Sequence, residues 1–230
     1  MAIGASTQSQ ERWTSADAVY HELYEQISTL ALMPGDKISE AEIAAKFGIS
    51  RQPVRDAFSR LGNLGLVQIR PQKATQVKKF SLTDIRKARF VRLSVELEVL
   101  RRAAEGWDGS LLEVVNANLA RQRSASEAGD GAKFHSLDYD FHKIFCEAAG
   151  AAFAMDIISQ NKAIVDRLCV LSLNQQEQRM GDLIEDHEKI YSAVRSKDYQ
   201  GLQQSARAHL SRLDAVIDAI YEKHAKYFED

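Results

Sequence analysis

No proline occurs in the 150 residues that follow Phe80, whereas Pro34, Pro53 and Pro71 all precede it. Proline removes a helical hydrogen bond and clashes with the turn before it, so a stretch of that length without one permits an all-helical domain. Hydrophobic periodicity fills the stretch with six helices, at 82–105, 109–127, 132–148, 151–173, 177–196 and 199–227. Gly106, Gly109, Gly129, Gly131, Gly150 and the polar turn Ser196-Lys197-Asp198 punctuate them. A helical bundle is the expected result.

The first third has a different texture. In SADAVYHELYEQISTL, Val19, Leu23, Ile27 and Leu30 share one helical face, and LMPGDKIS reads as a turn. Ser39 can cap a short helix through Ala45, GIS is a tight connection, and Ser50 can cap a second helix to about Gly62. Two β-prone runs, LVQIR and TQVKKF, flank Pro71-Gln72-Lys73-Ala74 and read as a hairpin. Three helices and a hairpin make a winged helix-turn-helix. The expected fold is therefore mainly α, with a tail at 1–12, a winged helix-turn-helix at 13–80 and an all-helical bundle at 81–230.

Charge divides along the same line. The net charge of −2 hides a run from Ser50 to Phe80 with seven basic residues (Arg51, Arg55, Arg60, Arg70, Lys73, Lys78, Lys79) against Asp56 alone. Residues 81–230 carry 20 basic and 24 acidic side chains. A focused basic cluster in an acidic chain suits a polyanion such as DNA. The second helix of a helix-turn-helix presents its N-terminal side chains to the major groove, and here that face reads Ser50-Arg51-Gln52-Pro53-Val54-Arg55. Arginine pairs guanine edges or phosphate and glutamine can read a base edge, while Val54, Phe58 and Leu61 point to the core. The N-terminal MAIGASTQSQER lacks the apolar core of a signal peptide, and no later run reaches the roughly 18 apolar residues of a membrane helix. A cytoplasmic location is expected. Cys146 and Cys169 stand apart in apolar helical patterns and read as buried thiols rather than a disulfide or a zinc knuckle.

The segment PGDKISEAEIAAKFGISRQPVRDAFSRLGNLGLVQIRPQKATQV resembles the DNA-binding domain of GntR-type transcriptional regulators. The resemblance implies that Arg51, Gln52 and Arg55 face DNA and that the hairpin around Lys73 approaches the backbone or minor groove. Two positions depart from the family pattern. Ala41 stands where many members have arginine, and Ala74 replaces the wing-tip glycine, a site where a Cβ tolerates positive φ poorly.

In LDYDFHKIF, Asp138 and His142 lie one helical turn apart beside the apolar stripe of Phe134, Leu137, Phe141 and Phe145. His187 falls in the stripe Ile184, His187, Tyr191, Val194, and His209 in the stripe Leu202, Ala206, His209, Leu213. One inward histidine is ordinarily a core residue bonded to a carbonyl. Three of them with an aspartate need a common partner, because burying a charge alone costs several kcal/mol. A divalent cation meets that need, and the donor set favours zinc, with nickel, cobalt, iron or manganese behind it, over calcium or magnesium. The tail also resembles the FCD effector domain of the FadR subfamily. That resemblance implies an ion held by Asp138, His142, His187 and His209 and completed by a small carboxylate effector, and six helices would place the chain nearer the VanR-like branch.

Arg92, Arg167 and His135 are the candidates for holding the effector. The function expected is that of a dimeric regulator, a repressor, on a near-palindromic operator. Two rivals remain at this stage. In one the metal itself is the signal. In the other, Asp186 or Glu188 serves as the base of a metal-dependent hydrolase.

Overall fold

The computed structural model describes residues 14–70, 73–171, 176–212 and 214–229. The N-terminal tail, Pro71, Gln72 and the side chain of Cys169 lie outside them. By contacts the chain separates into two compact units between Lys78 and Lys79.

In the first unit, helix α1 (Ser15–Ser28) starts at a capping box: the Thr14 hydroxyl accepts from the Asp17 amide and Asp17 accepts from the Thr14 amide. Val19, Leu23 and Ile27 are fully buried, while Leu30 stands beyond the helix end at φ 61°. Helix α2 (Glu40–Phe47) is capped by Ser39 and closed by Gly48 in the left-handed region at φ 63°, a conformation that needs no Cβ. Helix α3 (Arg51–Asn63) follows at once and buries Val54, Ala57, Phe58 and Leu61. Ser50 is its N-cap residue, yet its side chain makes no capping bond.

Among the described residues, three short strands complete the unit. They are β1 (Lys37–Ile38), β2 (Val67–Gln68) and β3 (Thr75–Val77), in the order β1-β3-β2 with both pairings antiparallel. Ile38 pairs with Thr75, and Val67 with Val77. The hairpin thus gains a strand from a segment read as turn, because two residues are too few to show an alternating pattern.

The described part of the second unit is built of helices. It comprises α4 (Leu82–Glu105), α5 (Leu112–Glu127), α6 (Gly131–Ala148), α7 (Ala154–Leu171), α8 (Gln176–Ser196), α9 (Tyr199–Ser211) and α10 (Asp214–His224), then a 3-10 turn at Ala225–Tyr227. Ser81, Asp130 and Asp198 cap α4, α6 and α9 with side-chain oxygens. The long α4 packs on α7 and α9, α5 on α6 and α8, and α8 on α9. Val99, Leu100, Leu119, Phe141, Phe145, Ile158, Ile190 and Val194 sit in the shared core. The final strand-like residue returns to the start of the unit, where Phe80 donates to the Tyr227 carbonyl at 2.9 Å and accepts from Glu229 at 2.8 Å.

Among the described residues seven α-helices stand where six were expected, α9 ending at Ser211 and α10 beginning at Asp214. Neither glycine nor proline marks the break, so periodicity reads through it. Helix α9 packs on α8 and α4, and α10 on α7. Among the described residues no helix is long and apolar enough to cross a membrane.

Candidate nucleic-acid interface and metal centre

The exposed face of α3 carries Arg51, Gln52 and Arg55, with Ser50 just ahead of them. Arg55 Nε donates to Glu40 Oε2 at 2.9 Å, and Gln52 Nε2 to Asp56 Oδ1 at 2.9 Å. Both pairs lie in water, where such contacts contribute less than about 1 kcal/mol and exchange readily for another acceptor. Lys73 is exposed beside β3, and Ala74 keeps a negative φ. Ala41 is exposed on α2 and offers no donor. Arg60 is engaged elsewhere: it pairs with Asp17 at 2.7 Å and lies 4.0 Å over the Tyr20 ring. The Thr14 hydroxyl and Arg60 together lower the Asp17 pKa to about 2. One charge of the basic cluster is thereby paired at the surface of the unit.

In the helical unit, α6 supplies Asp138 and His142 from adjacent turns, α8 supplies His187 and α9 supplies His209. All four are buried, His187 completely. One donor atom from each lies within 4.8 Å of every other. Asp138 Oδ1 is 3.3 Å from His187 Nε2 and 4.0 Å from His142 Nε2. Phe141 stacks on the His187 ring at 4.1 Å and limits its rotation.

A directed chain of hydrogen bonds decides which nitrogen of His187 faces the cluster. The Leu137 carbonyl can only accept, so Asn118 must offer it the amide NH2, at 3.0 Å. Asn118 Oδ1 then accepts from Gln122 Nε2 at 2.6 Å, and Gln122 Oε1 accepts from His187 Nδ1 at 2.8 Å. With Nδ1 protonated, Nε2 carries the lone pair, and this buried atom has no hydrogen-bond partner among the described residues. His142 has an acceptor on the same nitrogen, with Nδ1 3.0 Å from Glu96 Oε2, whereas His209 Nδ1 stands 3.7 Å from Asp186 Oδ2, an ion-pair separation without a hydrogen bond among the described residues. An acceptor behind Nδ1, as at His187 and His142, is how a ligating imidazole is oriented. Burial pushes the His187 pKa down to about 4 and lowers that of His209, keeping both neutral and able to ligate near pH 7. The residues fit a transition-metal ion: three nitrogens, one oxygen and an orphaned lone pair aimed at their centre.

Charged groups enclose this cluster. Arg92 Nε pairs with Glu96 Oε1 at 2.5 Å, and its Nη2 donates to His142 Nε2 at 3.3 Å. Lys162 Nζ lies 2.9 Å from Asp138 Oδ2 and 2.8 Å from Asp166 Oδ1. His135 Nε2 meets Asp166 Oδ2 at 2.6 Å, which places this residue behind Asp166. Burial opposes the charge on Asp138, yet the Lys162 ammonium beside it prevails and holds its pKa well below the ordinary carboxylate range. Of the three effector candidates, Arg92 touches the cluster and His135 reaches it through Asp166 and Lys162. Arg167 instead lies 4.9 Å over the Phe80 ring, and burial lowers its pKa to about 10.

Sequence reasoning missed Lys162, Asp166, Asn118 and Gln122. Their signal was spacing: each pair is i,i+4 within an otherwise apolar stripe, where a polar pair facing inward must meet partners. The residues considered as hydrolytic bases are both committed. Asp186 is gripped by Arg212, and Glu188 pairs with Arg123 on the surface.

Residues 15–77 match the bacterial regulatory proteins of the gntR family, and residues 88–212 match the FCD domain. Over 212 residues, 92% of each chain, the sequence is 32% identical to the HTH-type transcriptional repressor RspR of Escherichia coli (strain K12). The chain belongs to the GntR family. This GntR protein is a DNA-binding transcriptional regulator with an FCD domain, and it is not an enzyme. Its fold is similar to that of E. coli McbR/YncC, with a TM-score of 0.74 and 20% identity over 93% of this chain and 100% of that one. A GntR transcriptional regulator from Rhodococcus sp. RHA1 gives 0.70 and 21% identity over 89% and 97%.

Proposed function

We propose that this GntR regulator is a metal-dependent, carboxylate-responsive repressor, acting in the cytoplasm as a homodimer on a near-palindromic operator. The observation that carries the reading is the convergence of four buried donors, with His187 Nε2 left unbonded at their centre. Asp138, His142, His187 and His209 would hold a divalent ion, zinc by preference. Four protein ligands leave coordination positions for a small organic acid. Arg92, already donating to His142 Nε2, would turn to the acid once that nitrogen binds the ion. Ser50, Arg51, Gln52 and Arg55 would read the operator in the major groove, and Lys73 would meet its backbone. The name of the E. coli relative as a repressor supports the direction of control.

A coupling of about 1–3 kcal/mol between effector and operator would change affinity about 5–150-fold. The test is fluorescence anisotropy on operator DNA selected from random duplexes, with metal-loaded and metal-stripped protein against mono-, di- and tricarboxylates and their amides. At least one acid, and not its amide, is expected to shift operator affinity at least about fivefold in the loaded protein only. If metal addition alone produced that shift and no acid added to it, the protein would be a metal sensor. Equal responses of loaded and stripped protein would contradict both readings.

A further inference from the structure

The Lys162 side chain is only 7% exposed, and its ammonium lies between two carboxylates. Two carboxylate oxygens at 2.9 and 2.8 Å make that position one where a buried ammonium is paired on both sides. The two oxygens of Asp138 face different groups. Oδ1 looks toward His187 and His142, at 3.3 and 4.0 Å, while Oδ2 looks toward Lys162 at 2.9 Å.

We propose that Lys162 is a resident counter-cation of the centre, neutralising Asp138 when no metal is bound and leaving Oδ1 as its one oxygen donor when metal is bound. The inference rests on the metal-binding reading of the same four residues. Lys162 and the ion draw on the charge of one carboxylate. A permanent ammonium there weakens metal binding below what three imidazoles and a carboxylate alone would give. It also keeps the empty site from holding a bare buried anion, so the helices can stay packed while the metal exchanges. Asp166, fixed by His135 on its far side, holds the ammonium in register with α6.

The experiment measures zinc affinity, by competition with a fluorescent chelator, and melting temperature with and without zinc. It compares the wild-type full chain with Lys162→Met and Lys162→Arg. Lys162→Met is expected to bind zinc at least about tenfold more tightly, since a like charge beside the ion has gone. The stripped Met variant should melt below wild type, and zinc should restore most of the loss. Lys162→Arg keeps the charge and is expected within about threefold of the wild-type affinity. Equal or weaker zinc binding by Lys162→Met, or a melting loss that zinc does not reduce, would assign Lys162 a packing role and overturn the inference. If the Met variant does not fold with or without zinc, Lys162→Gln is judged by the same two readings. A wild type that takes up no zinc overturns the metal reading itself, and this inference with it.

Discussion

The exposed face of α3 and the buried cluster between α4, α6, α7, α8 and α9 are both built from charged and polar side chains, but they follow opposite rules. On α3, Arg55 rests on Glu40 and Gln52 on Asp56 in contact with water, so each side chain can exchange its partner at little cost. In the cluster, Arg92, Glu96, His142, Asp138, Lys162 and Asp166 each contact at least one other member at hydrogen-bond or ion-pair distance, all largely out of water. Removing one partner there leaves another charge unpaired in a medium that screens it poorly. An interface that must let go of DNA suits the first arrangement. A centre that must distinguish occupied from empty suits the second.

The contrast can be broken at several points. The largest effect is expected for Glu96→Ala, which strands the Arg92 guanidinium and the His142 Nδ1–H together and should destabilise the helical unit by about 3–5 kcal/mol in urea unfolding. A loss under 1 kcal/mol would mean the buried network is as loosely coupled as the surface. Acidification of metal-stripped protein should come next. The His187 pKa is depressed in the folded state to about 4, from an unfolded value of 6.5, so the unfolded chain binds more protons between these values. Stability from His187 is complete above about 6.5 and falls as pH drops toward 4, by roughly 3 kcal/mol if this group acts alone. Metal should protect against that loss, and a flat profile from pH 7 to 4 would refute the assignment.

At the surface, Arg51→Ala should weaken operator binding by about 1–3 kcal/mol while leaving metal content and melting temperature unchanged. A fall in metal content would show that the two regions are not independent. Glu40→Ala is the smallest expected effect: it frees Arg55 and should move stability by no more than about 0.5 kcal/mol.

The same contrast explains what the sequence revealed. The α3 face and the four donors were legible because each lies in a long helix whose apolar period assigns every residue a side, and the structure brings Asp138, His142, His187 and His209 together. Strand β1 escaped because its two residues carry no period, and its pairing to β3 depends on residues nearly forty positions away. The different packing partners of α9 and α10 escaped because they are set by tertiary contacts that a periodic pattern does not report. Lys162 escaped for an electrostatic reason: a lysine is expected at the surface, and only its position between Asp138 and Asp166 makes burial tolerable. Arg60 misled in the other direction, since composition counts it with the DNA-facing charge while Asp17 and Tyr20 hold it.

The most direct test of the centre is the metal content, by mass spectrometry, of protein purified without a histidine tag, wild type beside an Asp138→Ala, His142→Ala double variant. About one equivalent of a transition metal per chain in the wild type, lost in the variant while the variant stays folded, is the expected result. No metal in the wild type after soaking with zinc and nickel, or equal metal in both proteins, would contradict it.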